Sequence, residues 1–466
     1  MNLLIALSNT NYYIISGILV VLVLLGIFLM SKVKYARLGN FISALAVLGA
    51  VILTLIYYDI LDIWALYIYI GIGAILSIVI VLKVKMINMP QMIGLFNGLG
   101  GLVSTIVSGF AIYKSTPNTD IFLYVTAYLG FYIGLVTFVG SIIAALKLQR
   151  TLPQRPIHIK GYQPILIISL LIVIASLVVP IIVSVNVWII IGLGLGIGTL
   201  FSVVFSLKIG GADMPIVISL LNSFSGLAAA LSGLALLDPL SVSIGAIVGA
   251  SGLLLTQIMC KAMNRSLLDI LLGKTHMNIQ VDTRKMESFD EETITETKNP
   301  LQVLKEAKSV IIVPGYGMAI AQAQGFVKQL QDFFIKNNTT VKYAIHPVAG
   351  RMPGHMNVLL AEVDVDYDIL FEMDNINDEF KTTDAVIVIG ANDVLNPAAR
   401  TNTDTPIYGM PILNVDQAKE IFIFNYDLNP GYSGVPNPIY NRKTGLHLYL
   451  GNAYDTLQKL LNDLQG

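Results

Sequence analysis

Nine stretches of this chain are apolar for about 20 residues each, the length a helix needs to cross a hydrocarbon core. They run roughly over 12–30, 39–58, 63–82, 91–113, 121–146, 164–183, 187–207, 215–236 and 242–260, and none has an Asp, Glu, Lys, Arg or His in its interior. In lipid only a helix or a closed barrel satisfies its own backbone, so nine helical spans follow. The first stretch has no basic residue before it and is too long for the apolar core of a cleaved signal. It is expected to stay as an anchor.

Charge divides the chain in two. Only 13% of residues are charged, which excludes a wholly soluble or disordered protein. Cys260 is the single cysteine, which excludes a disulfide scaffold, and a net charge of -1 gives no general affinity for nucleic acid. Residues 1–262 hold twelve Lys+Arg, five Asp and no Glu, leaving 17 basic and 25 acidic residues in 263–466. The first part suits lipid and the second water. Basic residues follow the odd spans: Lys32, Lys34 and Arg37; Lys83 and Lys85; Lys147, Arg150, Arg155 and Lys160; Lys208; Lys261 and Arg265. The other loops hold Asp59 and Asp62, then Lys114 with Asp120, then Asp238. This alternation predicts an N-terminus outside and a C-terminal part in the cytoplasm.

One motif occurs twice. Met89-Pro90-Gln-Met-Ile-Gly-Leu-Phe-Asn97 and Met214-Pro215-Ile-Val-Ile-Ser-Leu-Leu-Asn222 lie 125 residues apart, and Gly101-Leu102 recurs as Gly226-Leu227. Both helices start on the cytoplasmic side, so they run parallel. Each Asn sits about 12 Å into the membrane by the helical rise. A buried amide in lipid needs a partner. Asn97 and Asn222 either hold two helices in register or line a shared polar path. Asn does not titrate, so a proton path there requires water. Asp213, the only acid in a cytoplasmic loop of this part, either caps the eighth helix or couples the two parts. The glycines at 192, 194, 196 and 198 point to helix contact.

Residues 266–300 are polar and lack apolar periodicity, and are expected to form a tether. From 301 onward short β-branched runs alternate with helical stretches: Val310–Val313, Val341–Ile345, Ile369–Phe371, Val386–Ile389, Ile421–Phe424 and Leu446–Leu450. The predicted fold is a polytopic α-helical membrane domain of nine spans over 1–265, then an α/β Rossmann-like, doubly wound parallel-sheet domain over 301–466. The first strand runs into Pro314-Gly315-Tyr316-Gly317-Met318-Ala319, a G-x-G turn of the kind that brings backbone N–H groups to a phosphate. The acid that binds ribose in an ordinary NAD site is missing after the second strand, where Ile345-His346-Pro347 stands. Two further polar loops follow strands: His346-Pro347-Val348-Ala349-Gly350-Arg351-Met352-Pro353-Gly354-His355 and Gly390-Ala391-Asn392-Asp393-Val394-Leu395-Asn396-Pro397. Arg351 suits a pyrophosphate. Three such loops at one sheet edge predict a nucleotide site.

These motifs resemble the beta subunit of proton-translocating NAD(P) transhydrogenase over nearly the whole chain. The likeness is carried by Gly210-Gly-Ala-Asp-Met-Pro215, Met259-Cys-Lys-Ala-Met-Asn-Arg-Ser266, Pro314-Gly-Tyr-Gly-Met-Ala319, His346-Pro-Val-Ala-Gly-Arg351 with Pro353-Gly-His-Met-Asn357, and Gly390-Ala-Asn-Asp393 with Asn396-Pro-Ala-Ala399. The resemblance implies an NADP(H)-binding soluble domain and a proton-conducting membrane domain. It also implies an alpha subunit that binds NAD(H), assembly as a dimer of alpha–beta units, and residence in the cytoplasmic (inner) membrane. Asn97, Asn222, Asp213 and Asp393 would be the catalytic and coupling residues, and Gly431-Tyr432-Ser433-Gly434 resembles a lid over the nucleotide. Two departures stand out. Several relatives carry a His where this chain has Asn97. The family's Lys-Arg-Ser, which grips the 2′-phosphate of NADP, is replaced by Asn425-Tyr426-Asp427. That change predicts weakened NADP selectivity, with NAD(H) accepted in its place, unless Arg442 or Lys443 supplies the cation. The competing readings are a channel or transporter with a nucleotide-sensing domain, and a structural membrane anchor.

Overall fold

A computed structural model describes residues 8–31, 35–85, 88–114, 120–153, 157, 161–183, 185–210, 213–271 and 299–465. Lys32, Lys34, Arg155, Lys160 and most of the tether expected over 266–300 lie outside them. The chain falls into two compact units, one of residues 1–209 with 217–256 and one of residues 210–216 with 257–466.

Among the described residues nine helices are long and apolar enough to cross a membrane. They are α1 (Asn9–Met30), α2 (Ala36–Tyr57), α3 (Trp64–Lys83), α4 (Met89–Lys114), α5 (Ile121–Leu148), α6 (Tyr162–Ile182), α7 (Val187–Leu207), α8 (Met214–Ala235) and α9 (Pro239–Ala262). Small residues set which of them touch. Lipid tails provide no hydrophobic drive between helices, so close backbone approach and hydrogen bonds decide. Gly94, Gly98 and Gly101 of α4 face Gly134, Thr137 and Ser141 of α5, and a Cβ on Gly101 would stand 2.6 Å from the Gly134 carbonyl. The four glycines of α7 divide by face. Gly194 and Gly198 lie against Phe131, Tyr132 and Leu135, whereas Gly192 and Gly196 meet open space.

α8 and α9 also meet backbone to backbone. A Cβ on Gly226 would overlap the backbone of Gly249, and Ser223 donates to the Gly249 carbonyl at 2.7 Å. Gly226→Val is therefore expected to destabilise the subunit by about 1–3 kcal/mol, the usual range for overpacking. Gly196→Val should be near neutral, since no atom lies within 4 Å of its Cβ position. Thermal melting of the detergent-solubilised protein compares the two.

The second unit holds α10 (Leu267–Leu271), α11 (Pro300–Glu306), β1 (Ser309–Pro314), α12 (Tyr316–Ala321), α13 (Gln324–Lys336), β2 (Thr340–Ile345), α14 (His355–Glu362), β3 (Leu370–Glu372), α15 (Met373–Ile376), β4 (Ala385–Ile389), α16 (Ala398–Thr401), β5 (Glu420–Asn425), β6 (Leu446–Leu450) and α17 (Ala453–Gln465). The first residues of the expected tether are thus helical, because Ile270 of α10 is buried. The six strands form one sheet in the order β3-β2-β1-β4-β5-β6, every pair parallel. The third strand begins one residue later than predicted, since a short 3-10 turn over Tyr367–Ile369 occupies its start. Ile311, Val313, Val386, Val388, Ile421 and Ile423 share one core with Phe380, Leu395 and Leu413. Their alternate neighbours Ile312, Ile387 and Phe422 point to the other face and are also buried, as expected for a sheet covered on both sides.

Candidate functional site

In this strand order the chain reverses direction across the sheet between β1 and β4, and loops at such a switch point open a crevice at the carboxyl ends of the strands. The Gly-rich turns meet there. Gly315 donates to the Ile389 carbonyl and Gly317 to the Gly390 carbonyl, both at 2.8 Å. Gly390 has φ +66°, and a Cβ on it would overlap Gly317. The loops after β1 and β4 therefore touch backbone to backbone.

Tyr316 is where the other loops converge. The Arg351 guanidinium lies 4.6 Å from its ring centre, and the rings of His355 and Tyr432 are each 6.5 Å away. This brings the β2 loop, which also holds Val348, Ala349, Gly350, Met352 and Pro353, and the Gly431-Tyr432 segment onto the G-x-G turn. Met318 and Ala319 are buried beneath it.

Two histidines shape the β2 loop. The His346 Nδ1 accepts from Val348 at 3.3 Å, so its proton sits on Nε2, which donates to the Pro411 carbonyl at 2.9 Å. The His355 Nδ1 accepts from the Arg351 backbone at 3.1 Å, which places its proton on a buried Nε2 with no acceptor among the described residues. Burial pushes His346 down to about 4. Burial, and secondarily the Arg351 charge, push His355 down to about 4. Depressed histidines take up protons when the protein unfolds but not when folded. Their stabilising contribution is complete above the ordinary histidine value near 6.5 and lost as pH falls through about 4. Each is worth on the order of 3 kcal/mol across that window. The melting temperature is expected to fall between pH 6.5 and 4, and His346→Gln should flatten that fall.

Asp393 ties the segment after β5 to the β4 loop. Its Oδ1 accepts from the Ser433 hydroxyl at 2.6 Å and its Oδ2 from the Ser433 N–H at 3.0 Å. Burial pushes its carboxyl up, and the hydrogen bonds from Ser433 and Tyr432 oppose this. Asn392 donates to the Asn429 carbonyl at 3.0 Å and accepts from Asn437 at 3.0 Å. Asn437 carries no site signal in the sequence, whereas Ser433 lies in the segment that resembles the lid and His355 closes the polar loop after β2. The signal for Ser433 is its place two residues after Gly431.

The three residues after β5 do different things. Asn425 is buried and donates to the Ala391 carbonyl at 3.0 Å and to the Tyr440 hydroxyl at 2.9 Å. Tyr426 is 78% exposed. Asp427 Oδ1 accepts from the Asn429 N–H at 3.0 Å, closing a turn. Arg442 lies at the other end of the sheet. It donates to the carbonyls of Thr444 at 2.8 Å, Ala418 at 2.7 Å and Lys419 at 3.0 Å, which gather at the start of β5. Lys443 is its neighbour. About 16 Å of strand separates that edge from the crevice, so neither cation reaches it.

In the membrane unit Asn97 donates to the Ile218 carbonyl at 3.4 Å, and its own carbonyl accepts from Ser225 at 3.0 Å. Ile218, Asn222 and Ser225 share one face of α8 by helical spacing, so Asn97 and Asn222 lie at one level on facing helices. Asp213 belongs to the other unit, where it pairs with Arg265 at 3.2 Å, and neighbouring Asn264 donates to the Tyr408 carbonyl at 2.6 Å.

A family model described as the NAD(P) transhydrogenase beta subunit matches residues 10–463. The chain belongs to that family. It is 38% identical over 457 residues to the NAD(P) transhydrogenase subunit beta of Rhodospirillum rubrum, covering 96% of this chain and 97% of the relative. The same subunit from a defined strain of that organism matches to the same extent. The chain is thus a multi-pass membrane protein of a two-subunit nicotinamide-nucleotide enzyme, and membership in it implies an alpha partner.

Proposed function

We propose that this chain couples hydride transfer between NAD(H) and a second nicotinamide nucleotide to proton movement, acting only with an alpha subunit that carries NAD(H). The observation that carries the proposal is the meeting of three strand-end loops on Tyr316, with Arg351 stacked on its ring and a buried donor, the His355 Nε2, left for a ligand. An anionic dinucleotide fits such a crevice. Gly315, Gly317 and Gly390 keep the floor free of side chains, Arg351 faces the pyrophosphate, and Asp393 with Ser433 holds Gly431 and Tyr432 over the top. The nicotinamide supplies the hydride chemistry, so the protein's part is to bind, orient and exclude water.

In this reading residues 1–265 conduct protons, 266–300 link, and 301–466 bind the nucleotide. The enzyme sits in the cytoplasmic membrane with the N-terminus outside, as a dimer of alpha–beta units. Asn97 and Asn222 orient water in a path that has no histidine in any span. The bond from Asn264 to Tyr408 joins the segment just after α9 to the nucleotide domain, and the pair Asp213–Arg265 ties that same segment to the start of α8.

The domain also discriminates poorly against a free 2′-hydroxyl. No Lys or Arg occurs between Lys419 and Arg442. Asn425 faces inward, Tyr426 carries no charge, and Asp427 repels a phosphate while accepting readily from a hydroxyl. The test is transhydrogenation by the reconstituted alpha–beta complex with NAD(H) on one side and either nucleotide on the other. Failure of the complex to transfer hydride with any nucleotide pair rejects the proposal.

A further inference from the structure

Asp238 is buried at 6% exposure in the turn between α8 and α9. Its Oδ2 caps α9, accepting from the N–H and hydroxyl of Ser241. Its Oδ1 accepts from the hydroxyl of Tyr12 on α1, a bond that capping does not require. Tyr57 of α2 stacks on Tyr12 at 3.9 Å. Tyr58, just beyond α2, lies edge-on to Tyr57, with ring centres 5.0 Å apart. A buried acid is thus held by Tyr12 of α1 and Ser241 of α9, with Tyr57 of α2 stacked on Tyr12, at the end of α8 opposite Met214.

Buried hydroxyls also lie between α8 and α4 on the membrane side of this turn. Ser232 of α8 and Ser108 of α4 share a hydrogen bond at 2.9 Å, and both are buried. Ser232 also reaches the Ser104 carbonyl at 3.3 Å. Two turns further in, Ser225 bonds Asn97 at 3.0 Å. A hydroxyl accepts and donates through the same oxygen, which neither an amide nor a carbonyl does.

Resting on the proton-translocating reading above, we infer that Asp238 is the group that exchanges protons with the outer side, and that Ser232 and Ser108 relay them toward Asn97. The Asp238 carboxylic acid releases its proton to a bridging water. A Ser hydroxyl takes a proton on its oxygen as it passes its own inward, so no charge is stranded and no bond other than O–H is made or broken. Tyr12 and Ser241 hold the ionised form when the proton has left.

The test uses the full alpha–beta complex in proteoliposomes, with internal pH followed by a trapped dye while nucleotides are supplied outside. Asn has one acceptor oxygen where Asp238 uses two, so Asp238→Asn keeps either the cap or the Tyr12 bond, and the melting temperature reads that structural loss apart from proton movement. The inference expects Asp238→Asn to slow proton movement on the order of 100-fold, with nucleotide affinity within about twofold of the unaltered complex, and Asp238→Glu to restore most of the rate. Proton movement by Asp238→Asn at the unaltered rate overturns it. Should that variant fail to assemble, Ser108→Ala with Ser232→Ala is expected to slow proton movement, and the unaltered rate there overturns the inference equally. An unaltered complex that moves no protons overturns the underlying reading and this inference with it.

Discussion

Exchanging Tyr426 for Arg together with Asp427 for Ser is expected to tighten NADP(H) binding roughly 100-fold, with little change for NAD(H), since a charged hydrogen bond is worth about 1.5–3 kcal/mol and one repulsive charge is removed. The unaltered subunit is expected to bind the two nucleotides with comparable dissociation constants. Equilibrium titration of the purified subunit with each nucleotide measures both. A strong NADP preference in the unaltered protein would mean that a cation outside residues 420–441 reaches the ribose. Lys443 and Arg442 are poor candidates. The Arg442 side chain is occupied by the carbonyls of Ala418, Lys419 and Thr444, at the far edge of the sheet. Adding Arg at 425 instead should fail. That side chain points into the core between Ala391 and Tyr440, where a guanidinium would be buried without a counter-charge.

The second large effect is expected at Gly390. Its φ of +66° lies in the left-handed region, and a Cβ would overlap the Gly317 backbone. Neither backbone can yield without opening the contact between β1 and β4 loops. Gly390→Ala should destabilise the domain by about 2–5 kcal/mol, the left-handed cost plus overpacking, and abolish nucleotide binding. Gly354→Ala separates the two costs. It has φ +69° but no atom within 4 Å of its Cβ, so it should show the smaller conformational cost alone and keep binding. Melting curves and nucleotide titration of both variants check this. Equal loss in the two would show that backbone conformation, not contact, governs the site.

Much of this architecture is legible in the residues themselves. Charge-free apolar stretches leave the backbone no alternative to helix, so nine helices appear within a few residues of where hydropathy puts them. The six strands are equally visible, because a parallel sheet covered on both faces needs continuous β-branched runs. The Gly-rich turns are legible too, since a backbone-to-backbone contact such as Gly317 on Gly390 leaves no room for a Cβ. The repeat of Met-Pro with Asn eight residues on indicates a shared level for Asn97 and Asn222.

Direction and partnership are a different matter. Asn425, Tyr426 and Asp427 read alike as replacements for a cationic grip, yet one points into the core, one into water and one into a turn. Only the packing of β5 against the β4 loop separates them. Arg442 looks like a substitute cation from its position in the chain, but a parallel strand carries it to the wrong edge. Asp238 reads as an ordinary loop acid until Tyr12, 226 residues away, is found to donate to it. Hydropathy and local spacing determine which segments become helices and strands, because those depend on neighbours along the chain. The charge a side chain meets depends on segments brought beside it from far away, and that is settled only when the tertiary fold closes.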